Sequence, residues 1–85
     1  MNATNIIGFS AAISTTIAFV PQVIKTIKTK SVKDISLIMY IIFTTGIFLW
    51  LVYGILINSK PVILANIVTF ILALIVLMLK IKYKN

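Results

Sequence analysis

The sequence predicts an all-α membrane protein, a single three-helix transmembrane bundle over residues 1–85, and three observations lead there. Of its residues 61% are hydrophobic and only 11% charged, with a mean hydropathy of +1.18, which lies outside the range of water-soluble domains. Apolar runs cover about 5–25, 36–57 and 61–79, each near the ~20 residues that a helix needs to cross ~30 Å of hydrocarbon. The net charge of +7 sits at the ends of those runs rather than along a face that could track nucleic acid.

The lysines also orient the spans. Lys25, Lys28, Lys30 and Lys33 fall between the first two runs and Lys80, Lys82 and Lys84 follow the third, whereas Lys60 alone separates the second from the third. Because basic loops stay cytoplasmic, the N-terminus is expected outside and the C-terminus in the cytoplasm of a cell (inner) membrane, with lipid as the surrounding partner. Cysteine and histidine are absent, so no metal site, haem or other cofactor of the usual kind is expected. The first run lacks a basic leader and exceeds the length of a signal-peptide core, and it is expected to stay in the mature protein.

Within the first run, Gly8, Ala12, Thr15, Phe19 and Gln22 recur at steps of four and three, which puts small and polar side chains on one helical face. Gly8 and Ala12 suit close helix packing. Thr15 and Thr16 can either bond their own i−4 carbonyls or face a pocket. Pro21 removes the N–H that would bond the carbonyl of Ile17, and its ring presses on that carbonyl, so the pair Pro21-Gln22 marks a hinge beside a polar space. Asp34, the one acidic residue, or Ser36 is placed to cap the second helix.

Met39, Phe43, Gly46, Trp50, Tyr53 and Ile57 form the strongest pattern, a face of aromatic and apolar side chains at helical spacing. Trp50 is either an interfacial anchor or a ligand platform; seven residues from Ile57, it lies about 10 Å inside the outer end, deeper than an anchor needs. Asn58 to Pro61 makes a tight outer turn. Asn66 lies about 7 Å below the same surface, since it is five residues past Pro61. A buried amide needs partners, and interhelical hydrogen bonds in membranes average only about 0.6 kcal/mol, so a polar cavity explains Asn66 better than helix association does.

The runs contain no Asp, Glu, Lys or Arg apart from the lysines at their ends, which argues against a pump, a proton antiporter or an enzyme. An indole face, carboxamides and hydroxyls suit a neutral, hydroxyl-rich solute. Three helices cannot enclose a sugar-sized path. Copies that share one orientation would pair as a parallel homodimer, its two-fold axis along the membrane normal.

Pro21-Gln22, Asp34-Ile35-Ser36, Met39-Tyr40, Trp50-Leu51-Val52-Tyr53-Gly54 and Leu64-Ala65-Asn66 together resemble the bacterial SemiSWEET sugar transporters of the PQ-loop superfamily over nearly the whole chain. The resemblance implies a homodimeric uniporter that moves mono- or disaccharides by alternating access. It implies Trp50 and Asn66 at the sugar, Pro21 as hinge, Met39 and Phe43 as cytosolic gate and Tyr53 in the outer gate. Some relatives place an arginine and an aspartate just after that tyrosine, where this chain has Ile57 and Ser59, so outer closure would rest on Tyr53, Ile57 and apolar contact. The rival readings are a PQ-loop carrier of amino acids, a holin-like pore and a small structural subunit.

Overall fold

The structure, a computed structural model, describes residues 2–83; Lys84 lies outside them. Three helices account for nearly all of it: α1 (Ala3–Thr29), α2 (Leu37–Leu56) and α3 (Lys60–Tyr83). Each is long and apolar enough to cross a membrane. The helices α1 and α3 run past their apolar stretches at the lysine-rich end, because long lysine side chains keep their charge in water while their stems lie along a helix.

Local chemistry sets the ends. The Asn2 side chain accepts the Asn5 N–H at 2.8 Å and starts α1. Of the two candidates for the cap of α2, Ser36 takes the role, its Oγ accepting the Met39 N–H at 3.2 Å. Lys30 turns left-handed at φ 54°, and its N–H donates to the Thr26 carbonyl at 2.8 Å to close α1. Asn58 does likewise at φ 56° in the tight turn after α2, where the Ser59 N–H meets the Gly54 carbonyl at 2.9 Å.

The helix that comes last in sequence lies in the middle. Both α1 and α2 pack on α3, and among the described residues the backbones of α1 and α2 do not approach each other. A three-residue turn makes α2 and α3 antiparallel neighbours. The connection from α1 to α2 must instead pass over the end of α3, a span of roughly 18 Å for two interaxial steps of ~9 Å. Residues 30–36 can reach about 23 Å when extended. The crossing is fastened midway: Val32 is fully buried, and its carbonyl accepts a hydrogen bond from Lys80 Nζ at 2.9 Å.

Two glycines hold the opposite end together. A Cβ on Gly8 would fall 2.9 Å from the Pro61 ring, and one on Gly54 would fall 2.8 Å from Val62 Cγ1 and 3.3 Å from the Ile63 nitrogen. The first turn of α3 thus touches both neighbours at distances that only glycine permits. The product is a flattened slab of 46 × 22 × 14 Å in which Val23, Val32, Thr44, Ile47, Ala73 and Val76 are buried.

Two substitutions test this packing in detergent-solubilised protein. Gly54→Ala drives a methyl into the branched Val62 and the backbone beyond it, and a loss of about 1–3 kcal/mol, read as a lower melting temperature, is expected. Thr44 buries its Oγ1 without a hydrogen-bond partner. Thr44→Val keeps the shape and removes the orphaned hydroxyl, so the melting temperature should rise by the equivalent of about 1 kcal/mol.

Candidate functional site

On one side of the slab, α1, α2 and α3 together line a cavity of about 270 Å³ whose polar groups come from Thr15, Trp50 and Asn66, with Gly8, Ala12 and Pro61 beside them. Its space follows from the small residues Gly8, Ala11 and Ala12 on α1, at the level where α3 presents Asn66. Thr15 Oγ1 donates to the Ala11 and Ala12 carbonyls at 3.1 and 3.2 Å. Asn66 Nδ2 donates to the Val62 carbonyl at 2.8 Å. Those bonds leave hydroxyl lone pairs on Thr15, and on Asn66 the amide oxygen and a second N–H, free to meet a solute's hydroxyls.

Thr16 lies elsewhere. Consecutive helical residues are ~100° apart, and Thr16 lines a separate, apolar groove with Ile13, Ile17, Leu64 and Val68. The structure therefore brings Thr15, Trp50 and Asn66 together and leaves Thr16 out of that group.

Trp50 borders a second hollow as well, one of about 520 Å³ along α2 with Gly46, Leu49 and Tyr53. The indole meets the Tyr53 ring edge-on, with centroids 5.4 Å apart and planes at 89°. One turn on, Ile57 closes α2, its N–H donating to the Tyr53 carbonyl at 3.0 Å. Trp50 is 57% exposed in the single chain, so its face is available to whatever lies against the slab.

Toward the lysine-rich end, Phe43 meets Phe19 at 6.2 Å and Tyr40 at 5.6 Å, both edge-on. These rings span the gap between α1 and α2 that the backbones leave open. Below them Met39 and Gln22 line a cavity of about 280 Å³ with Thr26 and Tyr40. Pro21 sits within an unbroken α1 just past Phe19, and the Thr26 hydroxyl donates to the Gln22 carbonyl at 2.9 Å. The pairing of Phe19 with Phe43 is not foreseen from sequence, although Phe19 shares the helical face of Thr15 and Gln22.

Residues 3–63 match the PQ loop repeat family. The chain is 48% identical over 81 residues to a protein of Leptospira biflexa named sugar transporter SemiSWEET, covering 95% of each. A second protein of that name, from Bradyrhizobium diazoefficiens, is 47% identical over 78 residues, which is 92% of this chain and 91% of the relative. The chain belongs to the SemiSWEET family of PQ-loop proteins.

Solved structures agree with this membership. A SemiSWEET in the inward-open conformation superposes with a TM-score of 0.92 at 44% identity, covering 99% of this chain and 90% of that one. A bacterial homologue of SWEET transporters gives a TM-score of 0.87 at 46% identity, covering 96% and 99%. Among the described residues, no group of histidine, cysteine or acidic side chains is placed to hold a metal.

As the one tryptophan of the chain, Trp50 reports on its own surroundings. In protein reconstituted into vesicles its fluorescence should be quenched by aqueous acrylamide more strongly than by brominated acyl chains. The reverse order would place the indole in lipid.

Proposed function

We propose that this chain works as a parallel homodimer that carries a small neutral sugar down its gradient. The observation that carries the reading is the convergence of the Trp50 indole, the Asn66 amide and the Thr15 hydroxyl on one cavity of a membrane protein whose spans hold no charge between their ends. An aromatic face stacks on the C–H surface of a sugar ring, and amide and hydroxyl groups satisfy its hydroxyls. Relatives named as sugar transporters supply independent support.

In the single chain the site is open on one side, with Trp50 57% exposed, and a polar solute cannot cross hydrocarbon with one side bare. A second copy in the same orientation, related by an axis along the membrane normal, supplies the missing wall and doubles Trp50 and Asn66 around a central chamber. The lysine distribution puts the N-terminus outside and the C-terminus in the cytoplasm of the cell membrane.

Alternating access then follows from two closures. Met39 and Phe43, braced by Phe19 and Tyr40, close the cytosolic side. Tyr53 and Ile57 close the outer side by apolar contact. Pro21, with Gln22 beside it, is where α1 bends between these states, because the Ile17 carbonyl has no N–H from residue 21 to hold it. The chain is a carrier rather than an enzyme, since its spans hold no acid, base or activated nucleophile.

The test is uptake of labelled glucose and sucrose into liposomes that contain only this protein. Saturable uptake that discriminates stereoisomers is expected, and Trp50→Ala or Asn66→Ala should lower it by about tenfold or more with the dimer intact, the effect of stripping a bound solute of its partners. Uptake at the parental rate in both variants would remove these residues from the site. Non-saturable leakage would identify a pore instead.

A further inference from the structure

The polar face of α1 does not stop at the aromatic rings. Thr15, Phe19, Gln22 and Thr26 continue it at steps of four, three and four, so Gln22 and Thr26 stand on the lysine-rich side of Phe19 and Thr15 on the other. On α2, Phe43 divides Tyr40 from Trp50 in the same way. The contact of Phe19 with Phe43 therefore separates two cavities of nearly equal size, about 270 Å³ around Thr15, Trp50 and Asn66 and about 280 Å³ around Gln22, Thr26 and Tyr40.

The two carry matching chemistry. Each has a carboxamide, a threonine hydroxyl and an aromatic ring, and in each the threonine donates to a carbonyl of its own helix, Thr26 to Gln22 at 2.9 Å, which leaves its oxygen lone pairs to accept. All three helices wall the second cavity, α3 through Val76, and it is the more enclosed of the pair. Among the described residues nothing bonds the Gln22 carboxamide or the Tyr40 hydroxyl. At membrane depth such groups need a partner, and the chain supplies none. Neither a hinge at Pro21 nor a gate of apolar contact calls for them.

We propose that Gln22, Thr26 and Tyr40 form a second binding site for the same neutral, hydroxyl-rich solute, one that receives it once it has passed the contact of Phe19 with Phe43. This rests on the transport reading above. Gln22 is seven residues past Thr15 and Tyr40 ten before Trp50, so the sites lie roughly 10–15 Å apart along the helices. The solute exchanges one set of partners for the other before it meets water.

The experiment uses the full chain in lipid nanodiscs with glucose as the probe and two readouts: saturation-transfer NMR, which detects every bound glucose, and Trp50 fluorescence, which responds to the first site. Tyr40→Phe with Thr26→Val keeps ring and shape while removing both hydroxyls, and thermal unfolding is the control for folding. In Asn66→Ala, the affinity read by Trp50 should weaken about tenfold or more while a saturable NMR signal persists. Adding Tyr40→Phe and Thr26→Val should weaken that remaining signal by about tenfold or more, the effect of losing two neutral hydrogen bonds. On the parental background the same pair should leave the Trp50 affinity within about twofold. Loss of both readouts together in Asn66→Ala, a residual signal indifferent to Tyr40 and Thr26, or a Trp50 affinity that the hydroxyl pair shifts as far as Asn66→Ala does would each mean a single site and overturn the proposal. A parental protein that neither binds glucose nor takes it up into liposomes would instead overturn the transport reading beneath it. If the combined variant fails to fold, Tyr40→Phe alone in the Asn66→Ala background decides.

Discussion

The arrangement of this protein depends on how closely α3 can approach both of its neighbours. Pro61 against Gly8 and Val62 against Gly54 set that distance at one end. At the other, buried Val32 and the Lys80 ammonium hold the crossing loop to the end of α3. In lipid there is little hydrophobic drive for helices to associate, so close steric fit and a few polar contacts carry the burden. The backbones of α1 and α2 stay apart throughout, so hollows open over the middle helix from the Gly8–Pro61 contact to the level of Thr26.

The interior chemistry follows from what those hollows contain. Their polar groups are uncharged, and their rings come from α1 and α2 without a rigid backbone contact between them. A contact made by side chains alone can open when either helix tilts, whereas the glycine contacts cannot slide without a clash. The slab therefore divides into a stiff frame at the Pro61 end and a compliant aromatic bridge nearer the lysines.

Hydropathy and lysine placement made the three helices legible in the sequence, and helical spacing placed Trp50 and Asn66 at nearly one depth. Depth is a property of spacing alone, but their meeting in one cavity also needs the lateral order of the helices. That order was not legible. Nothing in three similar apolar runs says that the third lies between the first two, and that order emerges only from the reach of residues 30–36 and from the glycine contacts. Thr15 and Thr16 look interchangeable in a list of residues and separate only when neighbours occupy the two faces of α1. The bond from Lys80 to Val32 joins residues 48 apart and has no local signature. Ser36 rather than Asp34 caps α2 because only Ser36 stands directly before its first residue.

The hydrogen bonds that Thr15 and Asn66 make to carbonyls of their own helices have a further consequence. A facilitator completes its cycle by resetting with nothing aboard, and bare polar groups facing a closing interior would make that return leg the slow one. Here each group keeps an intrahelical partner whether or not cargo is present. The vacant protein therefore resets with the Thr15 hydroxyl and one Asn66 N–H still satisfied, which leaves fewer bare donors in the closing interior than those residues would otherwise present.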